Sequence, residues 1–263
     1  MSALDLEQAL ARRARASLLA YLTAGFPDAS GFLRALDDVE RIADAVEIGV
    51  PFSDPMADGA TIQRASHAAL AAGATLDGLL TVLAARPPRV PRVLMSYLNP
   101  LLAIPVDVLA PRLASARIDA VVVPDLPLEE RAPLHALLDA HGIALVPMVT
   151  PLTPDARLAA LTANARGLVY AVTSTGTTGR ASLDATSVSP YLERVRAVSR
   201  APVIAGFGVR TAAHVAALCP PADGVVVGSA LVEEVEAGRS PGALLARLRG
   251  AAEDGAARTA RGG

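Results

Sequence analysis

The chain has 263 residues, 52% of them hydrophobic and 19% charged, with a formal net charge of −2. That is enough apolar material for a sizeable core and suits one α/β barrel or two small domains. The charge balance gives no electrostatic case for nucleic acid or a membrane surface, the absence of lysine excludes Schiff-base chemistry on this chain's own side chains, and a single cysteine, Cys219, excludes an internal disulfide or a multi-cysteine metal site.

In chain order, residues 3–15 have helical periodicity and end in Arg12, Arg13 and Arg15, which suit a helix C-terminus. Ser17 to Thr23 reads as the first strand and not as a signal peptide, because the apolar run is short, interrupted by Tyr21 and lacks a cleavage site. No apolar run is long enough to span a bilayer, and the expected location is the cytoplasm. Gly25-Phe-Pro-Asp28 is a turn signal, and Ser30 is expected to cap a helix over 31–43. Ala45 to Gly49 is the second strand. A loop punctuated by Pro51, Pro55 and Gly59 follows it, then helical segments 61–72 and 76–86. Val93 to Tyr97 is the third strand, followed by a helix over 106–117. The fourth strand is Ala120–Val123, with helix 129–141 behind it, and Glu129 and Glu130 favour that helix's dipole. Strand Ala144–Val149 precedes helix 154–163, and strand Leu168–Val172 runs into a long polar loop, 173–186. Helix 188–199, strand Val203–Ala205, helix 211–218, strand Gly224–Val227, a short helix and a last helix over 241–252 complete the pattern. The tail from Ala256 is patternless and expected to fray.

Eight short apolar strands alternating with helices imply parallel strands with right-handed crossovers. Eight such units in this length fit a closed (β/α)8 TIM barrel with an extra N-terminal helix, taken as a single domain over 1–263. An open doubly wound sheet is the alternative, but no Gly-x-Gly-x-x-Gly follows the first strand.

In a barrel the chemistry belongs at the C-terminal strand ends. Those ends carry Thr23, Glu47, Tyr97, Asp125, Tyr170, Gly206 and Gly228. Strand alternation places Glu47 on the side of Ala45 and Gly49, opposite Val46 and Ile48, so that small residues leave space before the carboxylate. The loop after it adds Asp54 and Asp58. Tyr170 shares a side with Leu168 and Val172. Gly206-Phe-Gly208 after strand seven, with Gly228-Ser229 opening a helix after strand eight, makes a phosphate cradle, since glycines admit the backbone and a helix N-terminus offers free N–H groups. The loop 173–186 suits a lid. His67, His135, His141 and His214 show no ligand spacing and read as surface or helix positions.

The stretches Ala20-Tyr-Leu-Thr-Ala-Gly-Phe-Pro-Asp28, Glu47-Ile-Gly-Val-Pro-Phe-Ser-Asp-Pro-Met-Ala-Asp-Gly-Ala-Thr-Ile-Gln63, Met95-Ser-Tyr-Leu-Asn-Pro100, Val123-Pro-Asp-Leu-Pro-Leu-Glu-Glu130, Ser174-Thr-Gly-Thr-Thr-Gly179, Gly206-Phe-Gly208 and Gly228-Ser229 together resemble the α subunit family of tryptophan synthase, almost end to end. The second stretch is highly specific; the glycine pairs alone are not. The resemblance implies retro-aldol cleavage of indole-3-glycerol phosphate to indole and glyceraldehyde 3-phosphate. It implies Glu47 as general acid/base and Asp58 as partner of the indole N–H. Tyr21, Tyr97 and Tyr170 would line the pocket, and Thr178 would belong to a lid closing against the Asp58 loop. Gly179, Gly206, Phe207, Gly208, Gly228 and Ser229 would bind phosphate. It further implies no metal and no cofactor in this chain, and a pyridoxal-phosphate-dependent β subunit as partner in an αββα heterotetramer. The loop holding Asp54 and Pro55 and the segment after Tyr97 would form part of that contact. Ala60 stands where the family usually has proline, and Leu98 where a second tyrosine is common. A stand-alone lyase releasing free indole, a non-catalytic phosphate-binding regulatory subunit and another phosphate-sugar barrel remain alternatives at this point.

Overall fold

The computed structural model describes residues 3–11, 16–173, 185–219 and 221–259. Its strands form one sheet in which every pairing is parallel. In chain order they are β1 (Ser17–Thr23), β2 (Ala45–Gly49), β3 (Arg92–Met95), β4 (Ala120–Val122), β5 (Ala144–Val146), β6 (Met148–Val149), β7 (Val169–Val172), β8 (Val203–Gly206) and β9 (Gly224–Val227). The order across the sheet is β5-β4-β3-β2-β1-β9-β8-β7-β6. Its two ends, β5 and β6, are halves of one continuous stretch separated by Pro147. Proline has no N–H for a ladder, but its carbonyl accepts from Tyr170 N at 2.9 Å. The expected fifth strand is therefore broken at Pro147, pairing with β4 before the break and β7 after it, and so closes eight staves into a TIM barrel.

The helices are α1 (Ala3–Ala11), α2 (Ala29–Val39), α3 (Ala60–Ala71), α4 (Leu76–Ala84), α5 (Leu98–Leu102), α6 (Val106–Ser115), α7 (Ala132–Asp139), α8 (Asp155–Thr162), α9 (Ala185–Val198), α10 (Ala212–Leu218), α11 (Ser229–Glu236) and α12 (Pro241–Thr259). Strand alternation sorts the apolar residues into two layers. Val46, Ile48, Leu94, Val121, Val203 and Val225 face the helices. Leu19, Tyr21, Ala45, Val93, Met95, Ala120, Val122, Leu168, Tyr170, Ile204 and Val226 fill the lumen. The extra N-terminal helix plugs the lumen from the N-terminal end: Ala3, Leu6 and Leu10 of α1 join the inner cluster, Ser17 Oγ donates to Leu10 O at 2.9 Å, and Glu7 Oε1 accepts from Gly167 N at 2.7 Å. At this end three aspartates, each just before a strand, accept a backbone N–H from a neighbouring one. Asp44 takes Leu18 N, Asp119 takes Arg92 N and Asp223 takes Val203 N, at 2.8 to 2.9 Å.

Several boundaries depart from the sequence expectations. Asp28, not Ser30, caps α2, accepting from Gly31 N at 2.8 Å, and Ser30 Oγ donates to the same carboxylate oxygen. The stretch expected as helix 129–141 is a 3-10 turn, Leu128–Glu130, followed by α7, with the 133 proline in the helix's first turn; Glu129 sits in that turn and pairs with Arg157. Strand β3 stops at Met95, and Tyr97 becomes the N-cap of α5, a five-residue helix with no counterpart in the sequence reading. The last helix runs to Thr259, so residues 256–259 are helical. Among the described residues no single helix is long and apolar enough to cross a membrane.

Candidate functional site

Glu47 lies in the middle of β2, beside Tyr21 of β1 and Val93 of β3. Its side chain enters the lumen on the Ala45–Gly49 side, as alternation requires. It is 1% exposed, and neither carboxyl oxygen has a hydrogen-bond partner among the described residues. An unpaired buried carboxylate is costly, so the group keeps its proton. Burial, and secondarily the charge of Asp58, raise its pKa from 4.5 to about 8.

Asp58 reaches the same space from the loop after β2. The loop is held by its own turns, Asp58 N donating to Pro55 O at 3.0 Å, and by Gln63 Nε2, which donates to Asp58 O at 3.0 Å. Tyr97 braces it from the N-cap of α5: its hydroxyl donates to Asp58 Oδ2 at 3.2 Å and accepts from Ala57 N at 2.8 Å, while Phe52 stacks on its ring with centroids 5.1 Å apart. Asp58 Oδ1 is buried with no partner among the described residues. Burial raises the Asp58 pKa to about 6 against the lowering effect of the Tyr97 hydroxyl. Near pH 7 the two carboxyls therefore hold one proton between them, on Glu47, with Asp58 ionised. Unlike surroundings have given two acids unlike protonation states.

Tyr21 and Tyr170 wall the remaining sides, both buried, and burial raises both hydroxyl pKa values well above the usual range. Here the small-residue expectation needs correcting. The space left by Gly49 is taken by Tyr21, since a Cβ on Gly49 would sit 2.5 Å from Tyr21 Cζ. Gly206 likewise makes room for Tyr170, whose Cε1 would be 2.5 Å from an added Cβ. Tyr170 then meets the Phe207 ring edge-on at 6.0 Å.

The glycine turns after β8 and β9 border this pocket. Phe207 and Gly208 have φ of 74° and 83°, a left-handed backbone that is unfavourable for phenylalanine. Thr173 Oγ1 donates to the carbonyls of Gly206 and Phe207 at 2.6 and 2.5 Å, fixing the turn. Among the described residues nothing accepts from the N–H of Phe207 or Gly208. Gly228 opens α11 without a side-chain cap and would place a Cβ 3.5 Å from Tyr21 Cβ. Both turns thus contact tyrosines of the Glu47 pocket, and both leave backbone donors for an anion. Ser229 is the first residue of that helix, half-buried at the same edge.

Thr178 and Gly179 lie outside the described residues, as does most of the expected lid loop. The sequence reading did not single out Thr173 as the lock of the Gly206 turn. It also set aside His214, whose Nδ1 lies 3.1 Å from Gly208 O and 3.3 Å from Arg210 N. The only signal for His214 was its place in the first turn of the helix after the glycine turn. Asp125 is exposed and accepts from Leu98 N at 2.9 Å, capping α5. Among the described residues no three His, Cys, Asp or Glu side chains gather as metal ligands would.

The profile of the family described as tryptophan synthase alpha chain matches residues 7–258. The tryptophan synthase alpha chain of Caulobacter vibrioides is 44% identical over 232 residues, covering 87% of this chain and 84% of its own. That of Solidesulfovibrio magneticus is 43% identical over 239 residues, covering 90% and 93%. Among solved structures, the subunit alpha of tryptophan synthase from Legionella pneumophila superposes with a TM-score of 0.86 at 31% identity, covering 97% of this chain and 99% of that one. Tryptophan synthase from M. tuberculosis in an aminoacrylate-bound form gives 0.85 at 34% identity, covering 96% and 100%. With the barrel, the paired carboxyls and the glycine turns all in place, the chain belongs to the tryptophan synthase alpha chain family.

Proposed function

We propose that the chain is a carbon–carbon lyase that cleaves indole-3-glycerol phosphate to indole and glyceraldehyde 3-phosphate in tryptophan biosynthesis. The observation that carries this reading is the pair of buried carboxyls: among the described residues Glu47 has both oxygens unpaired and a pKa of about 8, and Asp58 has one oxygen held by Tyr97 and the other open. Glu47 enters as the neutral acid and donates its proton to indole C3. The positive charge that develops on the indole ring is shared with its N–H, which donates to Asp58 Oδ1, and an ionised Asp58 stabilises it. Glu47, now a carboxylate, accepts the proton of the hydroxyl next to the breaking bond. The electrons of that O–H bond form the aldehyde carbonyl, and the carbon–carbon pair returns to the ring. Glu47 ends protonated, so one residue serves as acid and base in turn, and no cofactor of this chain is needed.

The phosphate sits at the Gly206 turn, on the backbone N–H groups of Phe207 and Gly208, and at the α11 start, Gly228 and Ser229. Gly179 joins it and Thr178 belongs to the lid, on the strength of the family motif alone. Tyr21 and Tyr170 carry contacts from both glycine turns to the Glu47 pocket, which supports one ligand spanning the two. Tyr97 shapes the pocket through Asp58.

The partner is a β subunit that holds pyridoxal phosphate, in an αββα heterotetramer that receives the indole directly. Met56, Leu102 and Val106 are about two-thirds exposed; they lie on the Asp58 loop and on the segment after Tyr97, the two stretches the family motif assigns to that contact. We take the whole chain as one barrel domain working in the cytoplasm. The test is indole release from indole-3-glycerol phosphate by wild-type and Glu47→Gln chains, with and without the β subunit. Release by wild type alone and its loss in the variant are expected; equal release by both overturns the assignment.

A further inference from the structure

On α11, four residues past Ser229, Glu233 meets two other segments of the barrel mouth. Thr61 Oγ1, in the first turn of α3, donates to Glu233 Oε1 at 3.1 Å. Arg210, two residues past Gly208, forms an ion pair with Glu233 Oε2. Each contact continues into the pocket. From Thr61 the path is short, because Gln63 on the same turn holds the carbonyls of Asp58 and Pro55. From Arg210 the backbone N–H lies against His214 Nδ1, which also contacts Gly208 O. One helix turn further on α11, Glu236 pairs with Arg64 of α3, a second tie between the same two helices.

We infer that Glu233 is a positioning residue that fixes the Asp58 loop relative to both glycine turns. Its own helix is entered through Gly228, its Oε2 holds Arg210 just past the Gly206–Gly208 turn, and its Oε1 holds the helix that directly follows the Asp58 loop. The distance from the phosphate to the indole N–H is set by those three segments, so their relative placement decides whether an anchored substrate presents its ring to Glu47 and Asp58. The side chains of Arg210 and Glu233 are 41% and 35% exposed. An ion pair that wet adds little to global stability, which leaves alignment as its physical effect. The inference rests on the lyase reading above.

The test uses the full chain with Glu233→Ala, Glu233→Gln and Thr61→Val. Steady-state cleavage of indole-3-glycerol phosphate, inorganic phosphate binding by calorimetry and thermal midpoints are measured for each. Glu233→Ala removes both the Thr61 and the Arg210 contact and is expected to lose about tenfold or more in kcat/KM, with an unchanged thermal midpoint. Glu233→Gln keeps an acceptor for Thr61 but not the charge for Arg210, so it raises KM and weakens phosphate binding while kcat is retained. Thr61→Val lowers kcat and leaves phosphate binding unchanged. Values of kcat and KM within twofold of wild type in Glu233→Ala would overturn the inference, as would a loss matched by a fall in thermal midpoint. An inactive wild type would instead defeat the lyase reading, and phosphate binding by Glu233→Ala would still report on the Arg210 link.

Discussion

Replacing Glu47 by glutamine separates what the carboxyl does from what it costs. Its pKa is raised from 4.5 to about 8, by burial first and by the Asp58 charge second. Between those values the folded chain holds a proton that the unfolded chain has released. The stability linked to this group is therefore intact below about pH 4.5 and falls as pH rises through 8, opposite in sign to a salt-bridged carboxylate. At ~1.36 kcal/mol per pH unit, the penalty is about 1 kcal/mol near pH 5 and about 4 kcal/mol near pH 8. Glutamine has nearly the same shape and no proton to take up. Urea unfolding of both chains at the two pH values is the assay, and the advantage of Glu47→Gln over wild type is expected to grow by about 3 kcal/mol between them. The same variant releases no indole. A stability difference that is the same at both pH values would refute the reasoning, since the carboxyl would then titrate alike in folded and unfolded chains.

The pair of pKa values, about 6 for Asp58 and about 8 for Glu47, sets a bell-shaped kcat/KM profile, activity falling below the first as Asp58 gains a proton and above the second as Glu47 loses one; a flat profile across that window would remove the two-acid scheme. Tyr97→Phe removes the hydroxyl that lowers the Asp58 pKa, so the acid limb moves upward by about one pH unit, read from the same profile. Asp58→Asn is severely impaired in kcat while still binding inorganic phosphate; an unchanged rate would sink the charge-stabilisation step. Leu6→Ala empties part of the plug beneath the lumen, where Leu6 is fully buried, and is expected to cost about 2–5 kcal/mol in urea unfolding without changing KM.

The lumen was partly legible in the sequence because a strand has a period of two, which puts the single acid on the side of Ala45 and Gly49, opposite Val46 and Ile48; that this side is the lumen comes from closure of the barrel. What alternation could not show was which side chain would occupy that space. Gly49 and Gly206 read as room for substrate or backbone approach, yet each accommodates a tyrosine from another stave, Tyr21 and Tyr170. That pairing depends on the register between consecutive strands joined by a helical crossover, which no local pattern encodes. The break at Pro147 belongs to the same class: along the chain 144–149 reads as one strand, and only closure of the sheet divides it at the proline between two different neighbours. Helix α5 has no capping signal in its own stretch because its cap comes from Asp125, on a different loop. Motif matching carried the sequence to Glu47 and Asp58 but not to the residues that set their distance from the glycine turns. Thr173 and Glu233 act through atoms contributed by other staves, His214 folds back on the turn before its own helix, and each looks ordinary where it stands in the chain. In a barrel the chemistry is written along single strands, while the alignment of that chemistry is written between them. Variation in turnover among chains with the same acids is therefore to be sought in the ties between staves.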